Sequence, residues 1–323
     1  TVLFSGQTAN AISAGYGYYL DNLLSELDTA NEWYFDAALQ VLYFNAPGNQ
    51  DPNQLPIEAS VNSYGMLIQN GSGYLDINNL NFVKQMKAGI FTDGASSNIK
   101  VRHCGFSFQN QSGINSENGC SSCLFDENTF NDINGAGILL NNSLASEISH
   151  NDLRRIGLIS GYGINDDEGL MAIYCNGSDS ISITENVVDS IGSCGIFMAI
   201  ANSMISKNNV TNCLLHTNDL GGMFLYGNGE SSCTLQDNIV LHTIGSTEAI
   251  YPVPAGITAG IYADANATGN IFYHNTIAFS TTGLHFSGGA ANNAITNNLV
   301  YGCTVSQLDM EEGASQGITS VNE

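Results

Sequence analysis

The chain has 323 residues, with 7 Lys or Arg against 30 Asp or Glu and a formal charge of −23. So few cations argue against a nucleic-acid partner, whose affinity rests on Lys and Arg neutralising phosphate, and against an anionic membrane surface. An anionic polymer such as a polyuronate would be repelled unless a bound cation intervened, so neutral glycans or cations are easier partners. Acidity that serves only solubility or high salt is the plainer alternative.

Residues 1–65 read as a small β appendage and lead-in. Glu32 to Asp36 and Val41 to Phe44 predict the two strands of a hairpin, and Asn49 to Pro56 the loop that follows. The N-terminus, TVLFSGQTAN, lacks the basic and apolar regions of a signal peptide. No run approaches the ~18–20 apolar residues of a membrane span, so no membrane insertion is expected.

From residue 66 to 303 one phrase recurs. The motif I-x-x-N-x-[VIF] places Asn at 128, 151, 186, 208, 238, 275 and 298, and degenerate copies put Leu80 and Cys104 in the same slot. Successive slots lie 24, 24, 23, 35, 22, 30, 37 and 23 residues apart, a base period of 22–24 with three long exceptions. A second anchor, a short Gly-Ile-type strand, begins at Gly89, Gly113, Gly137, Ala172, Gly195, Gly222, Gly260 and Gly283. Apolar and other residues alternate inside these segments, as in strands. The expected fold is therefore all-β: a right-handed parallel β-helix of about nine rungs, with the Asn slot as an inward turn residue that bonds along the axis. Residues 304–323 read as a C-terminal tail or the start of a further segment.

The eight cysteines include one C-x-x-C, Cys120 and Cys123. Without a second pair the zinc and redox readings are weak, and structural thiols or an occasional disulfide fit better.

The long exceptions point to a site. The gap from Asn slot to Gly-Ile strand is usually 8 or 9 residues, but 21 after Asn151, 14 after Asn208 and 22 after Asn238. All three insertions leave the same corner, so stacking gathers them on one face. The first insertion is read as carrying Arg154, Arg155 and Asn165 to Glu168; the second has His216, Asn218 and Asp219, and the third His242, Glu248 and Tyr251. Alternation then turns one column outward: Phe91, Asn115, Leu139, Tyr174, Phe197, Phe224, Tyr262 and His285. A second column follows two residues on, ending in Tyr226, Asp264 and Ser287. Exposed aromatics there would stack on sugar rings; alternatively the loops fold over them and bury them as a second core.

Asp219 and Asp264 would sit on adjacent rungs, with Glu168 near the same edge. A carboxylate pair is what glycoside hydrolysis requires: one acid protonates the leaving oxygen, the other activates water or attacks the sugar. Tyr174, Phe197, Phe224, Tyr226, Tyr262, His216 and His285 are the candidate substrate-binding residues. Asp166 and Asp167 are candidate Ca²⁺ ligands, although they lack EF-hand spacing; no cofactor is otherwise required.

The phrase Leu27-Asp28, then Asn31-Glu32-Trp33-Tyr34-Phe35-Asp36, then Leu42-Tyr43-Phe44-Asn45-Ala46-Pro47 resembles a hairpin that precedes the repeat in secreted bacterial β-helix proteins of the pectate-lyase-like superfamily. Asn31 stands where that group usually has Gly. Asp219-Leu-Gly-Gly-Met-Phe224 and Gly260-Ile-Tyr-Ala-Asp264 are similar to two further phrases of the group, the first in degraded form. The resemblance implies a secreted or periplasmic carbohydrate-active protein of glycoside hydrolase or polysaccharide lyase type. A monomer acting on a polysaccharide or oligosaccharide is expected. A lyase acting on a uronate with bound calcium, and a non-catalytic carbohydrate-binding or adhesin β-helix, are the alternatives.

Overall fold

A computed structural model describes residues 22–159, 162–163, 169–227, 229–246, 258–311 and 314. It divides the chain into two compact units, Thr1–Ser60 and Val61–Glu323.

In the first unit, Trp33–Asp36 and Val41–Phe44 pair antiparallel, with Trp33 opposite Phe44 and Asp36 opposite Val41. Asp36 closes the turn, its Oδ1 accepting from the backbone N–H of Ala38 and Leu39 at 2.9 Å each. Asn31 has φ +76°, a left-handed conformation that Asn tolerates and Gly takes without strain. The stretch expected to be loop, Asn49 to Pro56, contains a short 3₁₀ turn, Pro52–Gln54, and another, Pro47–Asn49, leads into it.

The second unit is the β-helix. Its Gly-Ile strands form one parallel sheet of ten, from Tyr64–Ile68 to Ser306–Met310. The nine strands that follow the Asn slots form a second parallel sheet, from Asn81–Val83 to Leu299–Tyr301. A third sheet completes each coil. The parallel pairing outruns the expected limits of the repeat: Tyr64–Ile68 already stacks on Ala88–Thr92, and Ser306–Met310 stacks on Thr282–Phe286. An open sheet edge accepts any segment that presents matching N–H and C=O groups.

The Asn slot is a continuous ladder. Asn151 accepts at Oδ1 from both the N–H and Nδ2 of Asn128, each at 3.0 Å, and the same pair of bonds repeats from Asn151 to Asn186 and from Asn186 to Asn208. Each Nδ2 also donates back to a carbonyl of the preceding coil, as Asn128 does to Val101 at 2.9 Å. The residue before the slot is left-handed every time, including His150 (φ +52°), Lys207 (φ +57°) and His274 (φ +56°). The glycine of each Gly-Ile strand has a different cause. A Cβ on Gly113 would lie 2.5 Å from the Phe130 ring and 2.7 Å from the carbonyl oxygen of Gly137 on the next rung.

Inside the coil, Ile90, Ile114, Ile138, Ile173 and Ile196 are fully buried in register. Phe82, Phe106 and Phe130 stack at 5.1 and 4.8 Å. Cys104, Cys175, Cys213 and Cys233 are buried thiols in the same interior, Cys194 is buried in a second cluster outside it, and Cys120 is bonded to Cys123. Burial pushes Cys175 up to about 12, so it is an inert packing group.

Candidate functional site

The three insertions join strands of the second sheet to strands of the Gly-Ile sheet. They run from Asp152–Ile156 to Ile173–Asp179, from Asn209–Thr211 to Gly221–Tyr226, and from Ile239–Leu241 to Ala259–Asp264. They share one corner, and their described parts are tied together. Asn218 Nδ2 donates to the Ser246 carbonyl, the Ser246 N–H donates to the Thr217 carbonyl at 3.1 Å, and Thr217 Oγ1 donates to Ser193 Oγ at 3.1 Å. Glu168, Asp166, Asp167, Glu248 and Tyr251 lie outside the described residues.

The outward column has the expected register. Phe91, Asn115, Leu139, Tyr174, Phe197, Phe224, Tyr262 and His285 are partners strand by strand. Its exposure follows the second of the two alternatives. Tyr174, Phe224 and Tyr262 are only 4–5% exposed, and with Leu139, Met171 and Ala259 they form a second hydrophobic cluster. Leu220, from the second insertion, packs against it. The loops therefore cover the column, because a bare strip of large apolar side chains would cost too much in water. Phe197 stays half-buried and Tyr226 is 39% exposed. Phe197 stacks on Tyr174 at 4.7 Å and lies 6.4 Å from Tyr226. These two rings line a cleft of about 590 Å³, walled by Met171, Thr217 and Leu220.

The acids gather one rung further on. Tyr226 is the register partner of Asp264, which is half-buried. Asp264 Oδ1 accepts from Ser287 Oγ at 2.6 Å and from the Ala265 N–H at 2.7 Å. Ser287 in turn accepts from the Tyr262 hydroxyl at 3.0 Å, since its own proton is committed to Asp264. Desolvation is the largest cause that pushes the Tyr262 phenol up to about 12, with Asp264, Asp219 and Glu311 adding to it; the Ser287 bond acts the other way. Asp219 is an exposed residue in a left-handed turn (φ +60°). Even so, partial desolvation of its carboxyl, then the charges of Asp264 and Glu311, raise its pKa; His285 opposes them.

The two histidines differ from expectation. His285 is buried, with Nδ1 3.0 Å from Asp309 Oδ2 and its ring edge-on to Tyr262, so it offers no open face to a substrate. Its Nε2 lacks a hydrogen-bond partner among the described residues and lies 3.7 Å from Glu311 Oε1. His216 donates from Nε2 to the Leu158 carbonyl at 3.1 Å, tethering the first insertion. Arg154 and Arg155 belong to the strand Asp152–Ile156, not to the loop beyond it. Arg154 is paired with Asp152 and Asp189, and Arg155 with Asp132. Among the described residues, no group of three or more His, Cys, Asp and Glu side chains is placed to hold a metal ion. No helix among them is long and apolar enough to cross a membrane.

Comparison with known proteins agrees with this architecture. A family model described as "Right handed beta helix region" matches residues 57–171 and 171–323. The chain belongs to that family. Among solved structures it is similar to DFA-IIIase from Arthrobacter chlorophenolicus A6 in complex with GF2, at 14% identity and TM-score 0.54, over 71% of this chain and 55% of that one. The chain thus spans about half of the DFA-IIIase, and the likeness is one of fold. Weaker likenesses are to the Azotobacter vinelandii mannuronan C-5 epimerase AlgE4 A-module (10% identity, TM-score 0.34, 78% of this chain and 69% of that one) and the Dettilon tailspike protein (14%, 0.33, 76% and 61%). Curated proteins give no match.

Within this β-helix, sequence reasoning missed Asp309 and Glu311 and gave no role to Ser287. The first two lie in the segment read as a tail, and only the pairing of Ser306–Met310 with Thr282–Phe286 brings them to His285. Continuing the outward column by one more period of 24, from His285 to Asp309, would have found the first of them.

Proposed function

We propose that the chain is a carbohydrate-active enzyme, a glycoside hydrolase acting on a neutral or weakly charged glycan at the cleft of Phe197 and Tyr226. The observation that carries this reading is the pairing of Tyr226 with Asp264. It sets an ionisable carboxylate one rung from an exposed aromatic ring, with Asp219 near enough to feel its charge. Aromatic faces take the C–H faces of sugar rings. Asp219, whose pKa is raised by desolvation and by the charge of Asp264, donates its proton to the glycosidic oxygen as the bond to the anomeric carbon breaks. Asp264, fixed by Ser287 and the Ala265 N–H, is the carboxylate that takes a proton from water or attacks the anomeric carbon; the configuration of the released sugar tells which. A lyase would need a cation beside the uronate carboxylate. The cations near the insertions are engaged elsewhere: Arg154 and Arg155 as above, and Lys207 with Glu185 at 3.1 Å.

The test is release of reducing sugar from neutral and acidic polysaccharides and from GF2, with absorbance of unsaturated products read in parallel. Asp219→Asn and Asp264→Asn should each lower release by roughly 10²–10⁴-fold. Product that absorbs as an unsaturated uronide would replace this reading with a lyase. Binding without any product would replace it with a binding protein.

A further inference from the structure

The cleft does not end at Tyr226. A second hollow of about 350 Å³ lies beyond it, lined by Gly177, Asp179, Ala201 and Ser231 among others. Asn176, Ala199 and Tyr226 line both hollows, so the two are one groove. Its floor follows the strand Ile196–Ala201, so it crosses the solenoid axis instead of running along it. From Phe197 to Ala201 the strand advances about 13 Å, at ~3.3 Å per residue, which is longer than a single sugar ring.

The far end faces outward because a bulge absorbs one extra residue. The register between Ile173–Asp179 and Ile196–Ala201 shifts between Asn176 and Ser178, after which Asp179 pairs with Ala201. Gly177 is the bulge, with φ +60°. Were the strand regular through Gly177, simple alternation from Tyr174 and Asn176 would point Ser178 out and Asp179 into the core. With it, Ser178 is buried and Asp179 stands on the groove face. Bulges re-aim side chains in this way beside functional sites.

We propose that this second hollow is a polar subsite for an extended neutral glycan, with Asp179 and Ser231 receiving its hydroxyl groups. The proposal extends the reading given under Proposed function and rests on it. Asp179 is prepared as an acceptor: Ser180 Oγ donates to Oδ1 at 2.6 Å and Asn202 Nδ2 to Oδ2 at 2.9 Å. Each oxygen keeps a lone pair for a sugar hydroxyl, and hydrogen bonds to a carboxylate are the strong ones. Ser231 Oγ is the independent sign of a ligand. It is buried at the hollow and has no partner among the described residues, a state that costs free energy until a hydroxyl arrives. No Lys, Arg or His is among the described residues that line either hollow. A uronate would meet the Asp179 carboxylate with nothing to offset it, so the groove selects neutral units. Ala199, small and at the junction, leaves the passage open.

The experiment is calorimetric titration with neutral gluco-, xylo- and fructo-oligosaccharides from disaccharide to hexasaccharide, and with oligogalacturonates of the same lengths. Wild type is compared with Asp179→Asn and Ala199→Trp, each confirmed as folded by circular dichroism and thermal midpoint. Affinity of the wild type should rise with chain length and then level off. Asp179→Asn should weaken the longer neutral chains about tenfold and leave the disaccharide unchanged, the scale of one charge-assisted bond. Ala199→Trp should remove the gain from length, and oligogalacturonates should bind at least about tenfold more weakly than neutral chains. Affinity independent of length, or long neutral chains bound equally by both variants, would end the groove proposal alone. Oligogalacturonates bound as tightly as neutral chains would end the neutral assignment. Failure of the wild type to bind any glycan would end the hydrolase reading and this one with it.

Discussion

In the proposed hydrolase, Asp219 and Asp264 would divide acid and base roles through their surroundings. Asp219 is raised first by desolvation and then by the charge of Asp264. Asp264→Asn removes that charge, so the Asp219 carboxyl should titrate at lower pH. A carbon-13 NMR titration of the Asp carboxyls would read the change directly; an unmoved Asp219 would place the two acids out of electrical contact. In wild type, a general acid loses its proton as pH rises through its pKa, so activity should fall on the alkaline side of that raised value. The sequence offered both acids through their place beside the long insertions. It could not show that Ser287 and Tyr262 hold Asp264, because a serine bears no motif and its role depends on a contact between rungs 23 residues apart.

The turn elements supply most of the specificity of the fold. Asn186 is fully buried, accepts two bonds at Oδ1 from Asn151, and donates to Asn208 and to the Ile148 carbonyl. Asn186→Ala strands these partners without water, and a loss of about 2–4 kcal/mol is expected from several buried polar groups left unmade. Chemical denaturation would measure it; a loss near zero would mean that the ladder is ornamental. On the outside of the same corner, His150 bridges Asp126 at 2.9 Å and Glu185 at 2.8 Å, and Glu185 also holds Lys207. The Asp126 bond, then that of Glu185, raises the His150 pKa above 6.5 despite some desolvation. Its stabilising effect is therefore complete below 6.5 and is lost as pH rises through the folded value. The difference in thermal midpoint between wild type and His150→Gln should shrink from about pH 5.5 to about pH 8. The ladder was legible in the sequence because one residue type marks the same corner in seven successive coils. The ion pairs were not, because they join residues from neighbouring coils at positions with no fixed identity.

Across the whole molecule, the repeat fixed the architecture while the choice between a bare and a covered aromatic column stayed open. Alternation assigns a face to each side chain, and it placed Tyr174, Phe224 and Tyr262 on the outside of their sheet. Whether a loop then lies over that face depends on its path, and only the packing of Leu220 and Met171 reveals it. The charge of −23 acts at this scale too. Like charges repel along the solenoid, and the Debye length falls from ~30 Å at 0.01 M salt to ~3 Å at 1 M. The thermal midpoint should rise as sodium chloride is added from about 0.01 M to about 0.5 M. A falling midpoint would show that corner ion pairs such as Asp126–His150–Glu185 outweigh the general repulsion.

The Asn ladder treats every rung alike. The bond from Asn128 to Asn151 spans 23 residues and the one from Asn151 to Asn186 spans 35, yet both are 3.0 Å. The scaffold does not register how much chain is spent between two corners. Loops of different length and chemistry can therefore be exchanged at this edge as interchangeable heads on a common shaft. Removing the 22 residues from Asn186 to Lys207 would bring Asn151 onto Asn208 with the same bonds. In such a molecule, new specificity arises by altering one loop while the spine keeps its dimensions.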